Sequence, residues 1–177
     1  MGSEPKLTLL FTGDEIAATV RRLAAEIGRD YHDKHPILIG VLKGSFMFLA
    51  DLIRLFDFPL EVEFIRLSSY GGGKSPGKIK LVQGVQSKVK GRHVLVIEDI
   101  IDTGLTTAFV LDYLSKEKPA SLKLCTLTDK PARRKVPVNI DYLGLTVPNK
   151  FIVGYGIDWN ERFRYLPGIY AMEDEGQ

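Results

Sequence analysis

Between Asp14 and Ile27, the apolar residues Ile16, Val20, Leu23 and Ile27 fall at helical spacing. That pattern predicts an amphipathic helix. Thr12 and Glu15 stand three apart at its start, the spacing of a capping box, and Gly28 is a candidate stop. Ile37 to Leu42 is an unbroken apolar run that predicts a strand covered on both faces. Lys43-Gly44-Ser45 reads as a turn. A helix is predicted over Phe46 to Leu55, with Phe46, Leu49 and Ile53 on its inner side. Val62 to Leu67 predicts another strand. From Ser68 to Gln86 the chain carries Gly71-Gly72-Gly73 and Pro76-Gly77 and reads as a long flexible loop, within which Ile79 to Val82 can pair as a hairpin arm. Val94 to Ile97 is a second buried strand, followed at once by Glu98 and Asp99, then by Asp102-Thr103-Gly104-Leu105-Thr106 opening a helix through Leu114. Further strands are predicted at Leu122 to Leu127, Tyr142 to Leu145 and Phe151 to Tyr155.

Strands and helices therefore alternate through the middle of the chain. The fold class this predicts is α/β, a twisted parallel sheet flanked by helices on both faces. In such sheets ligands bind beyond the carboxyl ends of the strands. Leu42-Lys43-Gly44, Glu98 to Thr106 and Thr128-Asp129-Lys130 all fall at such ends. A strand that runs into acids and turns through Thr and Gly into a helix suits a phosphorylated sugar. The helix start offers N–H groups to phosphate, and the acids can accept from hydroxyls or hold a divalent cation.

Composition changes this picture little. The 177 residues are 45% hydrophobic and 26% charged, ordinary for a globular domain, and the net charge of +2 argues for neither nucleic acid nor membrane. The charge is unevenly placed. Lys74, Lys78, Lys80, Lys88, Lys90 and Arg92 form one basic stretch without acids, and Lys130, Arg133, Arg134 and Lys135 form another. Each is either a solvated face or a rim that attracts an anion. Cys125 is the single cysteine and sits among leucines, which points to a packing role. No apolar run approaches the roughly 20 residues that span a bilayer, so a cytoplasmic protein is the default expectation. His32, His35 and His93 lack zinc spacing.

The stretch Val94 to Thr107, VLVIEDIIDTGLTT, resembles the phosphoribosyl-pyrophosphate signature of type I phosphoribosyltransferases. The wider chain is similar to the hypoxanthine-guanine branch of that family. Val41 to Ser45, Leu67 to Tyr70, Thr128-Asp129-Lys130 and Phe151 to Asp158, with Arg164 beyond, carry the likeness. The resemblance implies one phosphoribosyltransferase domain with a core over about residues 14–135. A small hood lobe would be drawn from 1–13 and 136–177. It implies transfer of phosphoribosyl from phosphoribosyl pyrophosphate to a 6-oxopurine, with Mg²⁺, in a homodimer or homotetramer.

Site residues follow from the same likeness. Asp102 would handle the N7 proton of the base, unless it merely caps the helix. Glu98 and Asp99 would face the ribose hydroxyls directly or through metal, and Asp158 would be a magnesium ligand. Thr103, Gly104, Leu105 and Thr106 would cradle the 5′-phosphate. Lys43 and Gly44 would form the pyrophosphate loop, where the family can hold a cis peptide before the lysine. Lys130 would donate to O6, Phe151 would stack on the ring, Ile152 would act through its backbone and Arg164 would touch pyrophosphate. Ser69 and Tyr70 would root a lid. Departures stand at Leu105, where some relatives carry Lys, at Ser45, where some carry Gly, and at Trp159, where Tyr is frequent. Two other readings remain: a regulatory RNA-binding protein that uses the basic clusters, and an enzyme that prefers xanthine.

Overall fold

The computed structural model describes residues 5–70 and 78–173, without the side chains of Ser69, Tyr70 and Lys78. Its centre is a six-stranded sheet in the order β4-β3-β2-β5-β6-β7. These strands are β2 (Ile37–Leu42), β3 (Glu61–Tyr70), β4 (Lys78–Gln83), β5 (His93–Ile101), β6 (Ser121–Asp129) and β7 (Tyr142–Thr146). Five run parallel, and β4 closes one edge antiparallel to β3 as the expected hairpin arm. The expected lid over Gly71 to Gly77 lies outside the described residues.

Side-chain alternation explains the layers. On β5, Leu95 and Ile97 point to one face, where they meet α1 (Gly13–Tyr31) and α2 (Phe46–Ile53). Val94 and Val96 point to the other, where Val110 and Leu114 of α3 (Leu105–Lys116) cover them. Both faces are dry, so the strand reads as a continuous apolar run rather than an alternating one.

α1 starts as expected. The Glu15 N–H donates to Thr12 Oγ1 (3.2 Å), and the Thr12 N–H donates back to Glu15 Oε2 (2.8 Å). It does not stop at Gly28 but runs on to Tyr31. Tyr31 lies one turn beyond Ile27 on the buried stripe and is 2% exposed. Burying such a ring outweighs the roughly 1 kcal/mol cost of a mid-helix glycine. α2 ends at Ile53, and its inner side is Phe48, Leu49 and Leu52. Phe46, expected inside, is half exposed at the first helical position.

A second sheet, in the order β1-β9-β8, joins the two ends of the chain. β1 is Leu7–Phe11, β8 is Ile152–Val153 and β9 is Ile169–Met172. The sequence pattern predicted neither β1 nor β9, and the strand expected over Phe151 to Tyr155 keeps only the two residues of β8. β7, which the expected partition assigns to the small lobe, pairs with β6 in the large sheet. Among the described residues no helix is long and apolar enough to cross a membrane.

Candidate active site

The carboxyl ends of β2, β5 and β6 are neighbours in the sheet, so the three segments singled out in the sequence converge on one edge. β5 extends to Ile101, which places Glu98 and Asp99 inside the strand rather than after it. Alternation then sends the two carboxyls to opposite sides. Glu98 is buried, and its carboxyl is pushed well above the usual range by desolvation and, next, by the charge of Asp99. The Thr107 hydroxyl, 3.3 Å away, donates to Glu98 and opposes that shift. Burial pushes Asp99 up to about 6, and Asp158 adds to it. Its own N–H, that of Ile100 and the Arg164 guanidinium act in the opposite direction.

Gly44 sits against Asp99. A Cβ there would lie 2.5 Å from Asp99 Cγ and 2.9 Å from Oδ1, so only glycine lets the first loop approach the acid. The peptide between Leu42 and Lys43 is cis, the isomer the resemblance allowed for.

After β5, Asp102 and Thr103 lead to Gly104, the N-cap of α3, at φ 84°. A Cβ on Gly104 would lie 2.7 Å from the Val136 carbonyl oxygen, so this turn needs glycine for its conformation and for its clearance. The Thr103 carbonyl accepts from the N–H groups of Lys135 (2.9 Å) and Val136 (3.2 Å), which ties the turn to the chain after β6. Gly104 has no side chain to cap α3, and only the Leu105 N–H is taken, at long range, by Thr103 Oγ1 (3.4 Å), so the other first-turn N–H groups remain for a ligand. Leu105 is half-buried, while Thr106 is exposed at the helix start. Asp102 therefore is not a helix cap.

Instead Asp102 faces cations. Its Oδ2 lies 3.5 Å from Arg133 Nη1 and 3.9 Å from Lys130 Nζ. Its Oδ1 is buried with no hydrogen-bond partner among the described residues. Lys130 is 2% exposed, and desolvation pulls its ammonium below the usual lysine range, with Asp102 opposing and Arg133 assisting. A short 3-10 turn at Pro131–Arg133 presents the arginine. Arg134 donates to the carbonyls of Asp102 (3.3 Å) and Ile101 (3.5 Å) and pairs with Asp129, bracing the same loop.

Arg133 also lines an open cavity of about 600 Å³ with Asn149, Lys150, Phe151, Met172 and Glu173. Phe151 is 48% exposed, whereas the next residue, Ile152, is buried and pairs with Ala171. Asp102, Lys130 and Phe151 are thus linked through Arg133. A second cavity of about 370 Å³, between α1, α2 and Tyr155, contains none of these residues.

The remaining charges form a chain on the other side of Asp99. Arg164 reaches Asp158 (2.8 Å) and Glu161 (3.2 Å) and donates to the Gly156 carbonyl (2.7 Å). Glu161 also pairs with Lys43 (2.7 Å). Among the described residues no three His, Cys, Asp or Glu side chains gather as a ready-made metal cage, so Glu98, Asp99 and Asp158 do not form one. Sequence reasoning did not assign Arg133 or Glu161. Arg133 was visible only as part of a basic cluster, and nothing local marks Glu161.

Comparison with known proteins fits this geometry. Residues 9–160 match the family described as the phosphoribosyl transferase domain. The chain belongs to the phosphoribosyltransferase family. It is 49% identical over 171 residues to a hypoxanthine-guanine phosphoribosyltransferase of Aquifex aeolicus, covering 96% of each chain. A hypoxanthine-guanine-xanthine phosphoribosyltransferase of Tritrichomonas foetus is 46% identical over 94% of this chain and 91% of its own length. A crystal structure of a hypoxanthine-guanine phosphoribosyltransferase from Bacillus anthracis superposes with TM-score 0.90 at 44% identity, covering 96% of this chain and all of that one. The phosphoribosyltransferase fold expected from the sequence is the fold observed.

Proposed function

We propose that the protein transfers the 5-phosphoribosyl group from phosphoribosyl pyrophosphate to N9 of hypoxanthine or guanine, giving IMP or GMP and pyrophosphate. The observation that carries this reading is Asp102, with one carboxylate oxygen shared by Lys130 and Arg133 and the other buried without a partner. A buried, unpaired acceptor costs about 1–3 kcal/mol. A purine N7–H supplies the missing donor, and Asp102 takes that proton as N9 bonds to the sugar.

Each neighbouring group then has a task. The uncapped start of α3, with Thr103, Gly104, Leu105 and Thr106, holds the 5′-phosphate. Glu98 and Asp99 meet the ribose hydroxyls. Lys130 donates to O6, which excludes adenine because its 6-amino group is itself a donor. Phe151 stacks on the ring, and the backbone at Ile152 reads its edge. Lys43, Gly44 and Arg164 receive the pyrophosphate, and Ser69 and Tyr70 root the lid. Asp158 and Asp99, whose charges repel each other, fit Mg²⁺ held by one or two carboxylates plus phosphate oxygens and water. That ion, when bound, neutralises the leaving pyrophosphate.

The basic cluster after β6 is engaged inward, Arg133 at Asp102 and Arg134 at Asp129, so it supports substrate binding rather than an RNA surface. A homodimer or homotetramer in the cytoplasm is proposed on the family likeness. The test is nucleotide formation from phosphoribosyl pyrophosphate and Mg²⁺ with hypoxanthine, guanine, xanthine and adenine. Turnover of the first two is expected. No product from any base refutes the proposal.

A further inference from the structure

Glu161 has no role in the scheme above, yet it holds both cations assigned to pyrophosphate. Its Oε1 lies 2.7 Å from Lys43 Nζ, and its Oε2 lies 3.2 Å from Arg164 Nη2. Lys43 comes from the loop after β2 and Arg164 from the far end of the segment between β8 and β9. One carboxylate therefore bridges two otherwise separate parts of the chain. Glu161 is held for this by its backbone. Its N–H donates to Asp158 Oδ2 (2.8 Å), and it sits at φ 61°, between Asn160 at φ 51° and Phe163 at φ 74°. Consecutive non-glycine residues in the left-handed region are uncommon and are kept only where the surroundings fix them. The carboxyl is held below the usual range by Lys43 and then Arg164, as expected for an anion between two cations.

Resting on the proposed function, we infer that Glu161 is a positioning residue that stands in for pyrophosphate. Its two oxygens occupy the cations that two phosphoryl oxygens would take. Asp158 already holds Arg164 (2.8 Å); Glu161 ties Lys43 to that pair without substrate, and it competes with pyrophosphate for both cations. Incoming phosphoribosyl pyrophosphate displaces it. Its return after the reaction weakens the hold on the product anion and favours release. Glu161 is largely exposed, so it can swing out without disturbing the core.

The test is Glu161→Gln, which keeps the size and removes the charge. Calorimetry with inorganic pyrophosphate and Mg²⁺, on the whole protein, is expected to show about two- to tenfold tighter binding than wild type, the range expected for freeing the exposed Lys43 pair and relieving Arg164 of one of its two carboxylates. The inhibition constant of pyrophosphate against phosphoribosyl pyrophosphate should fall in parallel, with the KM of hypoxanthine unchanged. In a Lys43→Ala background the gain should shrink. Glu161→Ala should behave like Glu161→Gln, which separates charge from any contact made by the amide. Unchanged or weaker pyrophosphate binding in both variants overturns the inference while leaving the pyrophosphate site standing. If wild type binds no pyrophosphate, or binds it equally well after Lys43→Ala, the assignment of the site itself fails.

Discussion

Replacing Lys130 by Met separates what this residue does for the fold from what it does for the reaction. Its side chain is 3% exposed, and its nearest carboxylate oxygen, on Asp102, is 3.9 Å away, too far for a short charge-assisted hydrogen bond. The ammonium is thus largely withdrawn from water with only a loose partner, and desolvation is the largest influence on its protonation. Met fills nearly the same volume with no charge. Exchanging a poorly paired buried charge for a well-packed apolar group is commonly neutral or stabilising. A gain of about 1 kcal/mol would raise Tm by roughly 2–4 °C in a chain of this length. Asp102 keeps Arg133 at 3.5 Å, so it is not stranded. The reaction is affected in the opposite direction. Loss of a charged donor to O6 costs about 1.5–3 kcal/mol, or roughly 10- to 150-fold in kcat/KM for hypoxanthine and guanine. Any trace activity with adenine should stay level, so the selectivity ratio narrows. Thermal melting beside steady-state kinetics on the three bases reads both effects. Lys130→Ala is the control: its cavity should lower Tm where Met does not. A melting point that falls as far in Met as in Ala, or unchanged kcat/KM with the oxopurines, refutes the reasoning.

Three further outcomes are expected. Asp102→Asn should cut turnover by about 10²- to 10⁴-fold, the range of general acid–base catalysis, with modest loss of IMP binding by calorimetry; normal turnover removes the proton-transfer role. Gly44→Ala drives a methyl against Asp99 and should lower kcat about 10²-fold while circular dichroism stays unchanged, because displacement by about 1 Å at a reacting centre costs that much. Asp99 holds its proton more tightly folded than unfolded, so its contribution to stability is full below about pH 4 and is lost as pH rises through about 6. Without Mg²⁺, wild type should therefore lose Tm relative to Asp99→Asn between pH 5 and pH 8, and a pH-independent difference between the two would count against the buried-acid account.

What could be read from the sequence tracks how local each signal is. β2 and β5 are visible because burial on both faces demands an apolar run. The start of α1 is visible because Thr12 and Glu15 form a box within four residues. Gly28 misled because a local stop signal cannot report that Tyr31 has a core to enter. β1 and β9 were missed because each is short and finds its partner across almost the whole chain, Leu7 opposite Met172. At the site, the passage of the signature from the end of β5 into the start of α3 was legible. Arg133 and Arg134 are adjacent and chemically alike, and only the 3-10 turn decides that one meets Asp102 and the other Asp129. Glu161 depends on contacts with residues before and after it, one of them more than a hundred positions away.

The placement of Glu98 and Asp99 has a consequence for rate on the proposed reading. Both carboxyls are costly to ionise in the free protein, because burial removes water from them, the charge of Asp99 opposes that of Glu98, and the charge of Asp158 opposes that of Asp99. Groups in that condition gain most when positive charge appears beside them. Bound phosphoribosyl pyrophosphate has a neutral ribose ring, whereas the sugar at the transition state carries oxocarbenium character. Glu98, which is not assigned to Mg²⁺, is thus worth more at the transition state than in the bound ground state, which is the condition for an interaction to raise kcat rather than only to tighten binding. An exposed carboxylate at the same position would already be fully hydrated, and most of that difference would disappear. The dry strand that made β5 readable in the sequence is therefore also what makes Glu98 effective.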